Sequence, residues 1–410
     1  MLLPVRQTAV LAISLLAITR LAAAQAPTPA ASPAVERYFE ETEGWRFSWG
    51  TDTTFTLSNL EEGSSNQSND GTTSFDALWM RLYGRLTYQS KAELVVDLFS
   101  ADAAEPVIFG LYARLTPSPH LGLRVGLIPL VVGGWQDRAY PSRQPLIGPP
   151  LLAQYILPLR NDSLPASSDE LLGQRGAGLA THYATGFPGR GAAVAVHYEH
   201  CWDTGIEAFG RLGGVRYRVA VMEGTPGSAA TKVRDQKSGT SLQARLTYDF
   251  GPRLRLGGSW AKGPYLKEKL APFLPPGRST RDYRQALWGA DLELKLGRLE
   301  ARGEWVQNRY DSPFVPAALR TQGYYGELAI AVATGLRLAA RYSGLSFSDL
   351  ADSSGRRVSW DADAGRFEAG ATYLLWEDRV ALKAAVQRTR LALVPRRVED
   401  IAALQLAFSH

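Results

Sequence analysis

A single cysteine, Cys201, stands among the 410 residues, so no internal disulfide can brace the fold. Beyond the first 24 residues no stretch reaches the roughly 18 unbroken apolar residues of a membrane helix, which excludes a bundle of spanning helices. Lysine is scarce: 8 of the 45 basic residues, the other 37 being arginines. The formal charge is only +5, and no basic run carries interleaved aromatics, so nucleic-acid binding has no support. Missing too are the Gly-x-Ser-x-Gly elbow, the His-Glu-x-x-His helix and the phosphate-cradling Gly-x-x-x-x-Gly-Lys loop, so no enzyme class announces itself and no cofactor is expected.

What the chain has is alternation. From Trp45 onward, segments of about ten residues with every second side chain apolar are separated by turns. In SLQARLTYDFGPRLRLGGSWAKG, Leu242, Ala244, Leu246, Tyr248 and Phe250 share one face, Gly251-Pro252 turns, and Leu254, Leu256, Gly258 and Trp260 resume it. Gln243, Arg245, Thr247, Asp249, Arg253, Arg255 and Ser259 take the other. A soluble half-buried sheet alternates as well, but the charges separate the two cases. With an apolar register chosen for each strand, 31 central charges on 16 strands fall on the opposite face, and the 15 that the choice of register does not force all agree. A lipid-facing Arg or Lys costs about 2 to 4 kcal/mol at the bilayer midplane, which explains such discipline. Glu223, Arg309, Arg388 and Arg390 break the pattern only at strand ends. Trp260, Trp288, Trp305, Tyr342 and Tyr373, near strand ends on the outward face, fit the aromatic girdles of a membrane barrel.

The implied class is all-β: a transmembrane antiparallel up-and-down β-barrel of 16 to 18 strands, surrounded by outer-membrane lipid and lipopolysaccharide. Residues 1–24 read as a signal peptide, with Arg6, an apolar stretch from Ala9 to Ile18, and Ala22 and Ala24 before the cut. Residues 25–44 form a Pro/Ala linker ending in an acidic stretch, and 45–410 the barrel. Eighteen strands fit, or sixteen, the weakest being the hairpin over 177–200 and the short strand 206–212. Connections alternate between short turns (Gln89-Ser90, Ser118-Pro119, Gly213-Gly214, Gly251-Pro252, Gly297, Thr334-Gly335, Glu377-Asp378) and long polar loops, as expected of periplasmic and outer ends. The connection 133–176 is the longest, and Trp135, Tyr140, Leu146, Ile147, Leu151, Leu152, Tyr155, Ile156 and Leu157 give it apolar surface to bury. It is expected to fold into the lumen, with Arg138, Arg143, Arg160 and Asp162 as constriction charges.

Two segments carry a family resemblance. CWDTGIEAFGRLGGVRYRVAVMEGTPG, from Cys201 to Gly227, and LYARLTPSPHLGLRVGLIPLVVG, from Leu111 to Gly133, resemble the mid-barrel strands and the pre-constriction hairpin of the phosphate-selective porin O and P family. The resemblance implies a sixteen-stranded homotrimeric porin of the bacterial outer membrane with anion preference. It departs from that family in its few lysines and its extra hairpin, and it assigns no phosphate-binding residue.

The inward tally, 19 basic against 12 acidic, favours small hydrophilic anions weakly. The expected anion path runs along Arg81, Arg85, Arg114, Arg124, Arg216, Arg218, Arg245, Arg253, Arg255, Arg337 and Arg341, with Arg216/Arg218 and Arg253/Arg255 as clusters without acids. His197, His200 and Cys201 tempt a metal reading, but on a strand His197 and Cys201 face one way and His200 the other, so no metal site is expected. An anchored enzyme or adhesin, or a soluble β protein, are the competing classes.

Overall fold

The computed structural model describes residues 44–59, 73–101, 106–135, 138, 140–178, 193–197, 202–229, 239–376 and 379–410. The segments read as signal peptide and linker, apart from Gly44, lie outside them. Sixteen of the described strands close into one antiparallel barrel in which each neighbour in the wall is the next wall strand in sequence. They are Trp45–Asn59, Thr73–Tyr88, Ala92–Ala101, Val107–Ser118, Leu121–Pro129, Trp202–Leu212, Val215–Met222, Ser241–Phe250, Leu254–Pro264, Arg284–Leu296, Leu299–Tyr310, Leu319–Ala333, Leu336–Phe347, Ala364–Leu375, Val380–Leu391 and Arg397–Ser409. The last strand returns to the first, with Asp52 opposite Ser409 and Asn59 opposite Ala402. Among the described residues no helix is long and apolar enough to cross a membrane.

The wall has sixteen strands because the described part of the hairpin expected over 177–200 is not in it; residues 179–192 and 198–200 of that span lie outside the described residues. Strand Leu121–Pro129 pairs directly with Trp202–Leu212, and Ala193–Ala195 pairs instead with Ile156–Arg160 in a separate small sheet. Val194, Ala195 and Val196 are all buried, so both faces of this segment are covered, whereas a wall strand needs one face for lipid and one for the lumen. Strand 206–212, the other weak one, is a full wall member that begins at Trp202.

Local chemistry sets the turns. Short hairpin turns that match the strand twist place one or two residues at φ > 0. Gln89 (φ 47°) and Ser90 (φ 54°) adopt it without glycine, while Gly251 (φ 65°) supplies it between Phe250 and Leu254.

The alternation fixes which face is which. Leu246, Leu256, Leu292, Leu328, Leu338, Leu382 and Leu404 stand exposed around the outside, a continuous apolar surface that water would not tolerate and lipid requires. Trp260, Trp288, Trp305, Tyr324, Tyr342 and Phe367 lie on six consecutive strands as cross-strand partners: Trp260 opposite Trp288, Trp305 opposite Tyr324, Tyr342 opposite Phe367. Such a row suits the depth at which headgroups meet acyl chains. Trp260 and Trp288 approach to 6.1 Å between ring centroids.

Candidate channel lumen

The loop enters the barrel through glycines. After Pro129 the chain turns inward, and Gly133 takes φ +83°, a conformation L side chains rarely adopt. Its amide donates to Ser259 Oγ (3.0 Å), and the amides of Gly134 (3.2 Å) and Trp135 (3.0 Å) donate to one carboxylate oxygen of Glu304. A Cβ at Gly133 would run into Glu304 and His197, so the backbone can approach this carboxylate only without a side chain.

From there the loop crosses the lumen. Arg138 donates to the Tyr325 hydroxyl (2.8 Å), after which the chain reaches the opposite wall, where Ser142 bonds Asp52 and Lys383 donates to the carbonyls of Pro141 (2.5 Å) and Gln144 (2.8 Å). Thr372 donates to Pro145 O, Arg341 to Gly148 O and Arg366 to Gln154 Oε1. Each partner is an inward wall residue, so the loop replaces water around charges that lipid excludes from the other face.

Behind this polar seam lies an apolar core. Leu151, Leu152, Tyr155, Leu157 and Leu171 from the loop pack with Val306, Tyr310, Leu319, Leu345 and Phe347 from the wall and with Leu266 and Leu270 from the connection after Pro264. Each buried leucine is worth about 1.5 to 3 kcal/mol. The lumen is therefore not polar throughout: where the loop covers it, the inward face is apolar. At the long-loop end even the polar inward side chains are sealed, with Gln243, Asn308, Thr321, Ser343 and Thr389 all at 0 % exposure.

The expected anion-path residues are inward but mostly paired. Arg81 forks onto Asp97 (2.9 Å) beneath the Tyr140 ring (4.1 Å), and Arg114 meets Glu93 (3.5 Å). Arg124 (2.7 Å) and Arg218 (2.5 Å) share Glu207, Arg245 grips Asp291 with both terminal nitrogens (2.6 and 2.9 Å), and Arg341 grips Glu368 (2.7 Å) while touching Glu327 (3.3 Å). The clusters read as acid-free are not. Asp249 holds both Arg216 (2.7 Å) and Arg255 (2.8 Å), because the partners sit on neighbouring strands, where own-strand spacing cannot show them. Arg85, Arg253 and Arg337 make no ion pair among the described residues.

Of the constriction charges, Arg138 and Arg143 lie where the loop crosses, Arg143 stacking on Tyr140 (4.6 Å). Arg160 and Asp162 do not. They pair with each other (3.0 Å), and Asp162 also takes Lys269 from the connection after Pro264, which holds them at the exposed long-loop end. Membership of the long loop does not by itself place a charge at the crossing, because the chain runs on through strand Ile156–Arg160 before reaching this pair. His197 is buried and its ring nitrogens find no hydrogen bond; His200 and Cys201 lie outside the described residues, and among those described no metal-ligand cluster forms.

A latch residue with no sequence signal is Asp361, in the connection before Ala364. It accepts from the amides of Gly176 (2.8 Å) and Ala362 (2.8 Å) and from the Tyr155 hydroxyl (3.1 Å). Burial outweighs these bonds and pushes its carboxyl up to about 7. The folded state thus keeps a proton that an unfolded Asp gives up near pH 4, so this residue's contribution to stability is full below that pH and is lost as pH rises through about 7. Buried His197, pushed down to about 4, acts in the opposite sense, losing stability as pH falls. The two are separated by comparison: Asp361→Asn should gain urea midpoint over the native protein progressively from pH 4 to 8. A difference that does not vary with pH would refute the assignment.

No protein-family model matches this sequence, and no curated protein matches it either. Solved structures do. Salmonella typhi OmpF in complex with daunomycin superposes with a TM-score of 0.57 over 90 % of this chain and 98 % of its own, at 9 % identity. This is a porin fold. The channel DcaP of Acinetobacter baumannii (TM-score 0.54, 11 % identity, 90 % and 98 % covered) and an anion-selective porin from Comamonas acidovorans (0.52, 11 %, 89 % and 99 %) share it. At such identities the porin fold is what is common.

Proposed function

We propose that this chain is a bacterial outer-membrane porin, passing small hydrophilic solutes by diffusion with a weak preference for anions such as phosphate. The observation that carries the reading is a closed wall, apolar outside and charged inside, crossed by a loop pinned from Glu304 on one side to Asp52 and Lys383 on the other. A loop so held narrows a lumen without blocking insertion. Residues 1–24 serve as the export signal and 25–44 as a periplasmic tether, the short turns face the periplasm, and three copies assemble side by side. No catalytic group is invoked.

The test is single-channel conductance of purified protein in a planar bilayer, with reversal potential in a salt gradient and phosphate titrated against chloride. Anion-selective steps that phosphate reduces support the whole reading; unselective steps remove the anion preference. A second reading, a plugged barrel that anchors an enzyme or adhesin, is favoured by the sealed inward side chains at the long-loop end. Folded, detergent-dependent protein without steps would select it.

A further inference from the structure

Charges along the lumen are sorted by depth. Midway, acids and bases neutralise one another in cross-strand pairs, such as Asp97 with Arg81, Asp291 with Arg245 and Glu368 with Arg341. Toward the short-turn end the balance tips. Arg253, Arg298 and Arg337, each beside a short turn, make no ion pair among the described residues. A cavity of about 280 Å³ opens there beside the Gly251-Pro252 turn, lined by Arg211, Arg253, Arg255 and Lys295 against only Asp249 and Glu293.

Those two carboxylates are already committed. Asp249 is held by Arg216 and Arg255, and Glu293 by Arg255 (3.3 Å), Lys295 (3.3 Å) and Arg302 (3.7 Å). Arg253 is left with its guanidinium fork exposed, and Arg211 spends only Nε, on Gly213 O. A guanidinium fork matches an oxyanion edge, and low-dielectric walls concentrate field lines into a cleft of one sign.

We propose that this basin binds a small polyvalent oxyanion, and that it, rather than the crossing loop, sets the anion preference. The second half rests on the channel reading; the first does not. In consequence the protein is electrically lopsided, collecting anions at its short-turn mouth while its waist is neutral.

Two measurements keep the halves apart. Calorimetric titration of the folded, detergent-solubilised full chain with inorganic phosphate should show saturable binding at low ionic strength. Arg253→Glu with Lys295→Glu should weaken it at least tenfold, and Arg253→Gln, which adds no repulsion, should weaken it less. In bilayers, phosphate added to one chamber and then the other should reduce current unequally for a single inserted channel, and the double variant should lose that inequality and the anion-selective reversal potential. Binding without conductance keeps the basin and discards the pore. Conductance with no phosphate binding, or binding weakened as much by Arg138→Gln in the loop as by the double variant, overturns the basin.

Discussion

Replacing residues 136–175 by a short glycine-serine linker should raise single-channel conductance several-fold while leaving the wall intact. The wall's backbone hydrogen bonds run strand to strand, each strand pairing with its sequence neighbour in the barrel and the last with the first, and none needs the loop. Excision frees Lys383, Arg341 and Arg366 from Pro141, Gln144, Gly148 and Gln154, and water takes those places. It also uncovers Val306, Tyr310, Leu319, Leu345 and Phe347, so the variant should unfold at lower urea, by several kcal/mol at about 1.5 to 3 per uncovered side chain. Conductance equal to the native value would show that the loop does not stand in the path.

Arg341→Ala should cost about 3 to 5 kcal/mol, the range for stripping one partner from a buried ion pair. The side chain is fully buried and gathers Glu368, Glu327 and the Gly148 carbonyl, so its removal strips Glu368 of its cation, leaves Glu327 to Arg302 (3.6 Å) and Arg138 (3.8 Å), and unties the loop midway. Combining Arg341→Met with Glu368→Gln should recover most of the loss, because the damage lies in the orphaned Glu368, whereas Glu327 keeps Arg302 and Arg138. Urea unfolding in detergent micelles, followed by tryptophan fluorescence, reads both. A single variant within 1 kcal/mol of native, at the scale of an exposed pair, would mean that water reaches this triad.

Period-two alternation made the wall legible because lipid enforces it: a charge on the wrong face is too costly to persist, so each strand declares its register. The same rule puts Asp52, Glu304, Glu327, Glu368 and Lys383, all among the 31 central charges, on the inward side from the sequence alone. It could not pair them. Asp249 meets Arg216 across the wall at a distance in sequence that only register reveals. The second strand expected in the hairpin over 177–200 misled because Val194, Ala195 and Val196 are apolar for a different reason, burial on both faces inside the barrel. Asp361 was invisible, since a loop carboxylate that accepts backbone amides has no periodicity to betray it.

The seam between the first and last strands has a consequence for the order of events during assembly. Thr51 and His410 exchange a reciprocal pair of backbone hydrogen bonds (3.0 Å each), and the pairing continues to Asn59 and Ala402. The earliest-made wall segment must therefore wait for the most recently made one, holding a raw edge all the while. Loop-closure entropy for so remote a contact is met only at the final step, which makes sealing slow relative to hairpin formation. Until then the nascent sheet is an open ribbon with two adhesive borders, a state that invites either a chaperone or the edge of another chain.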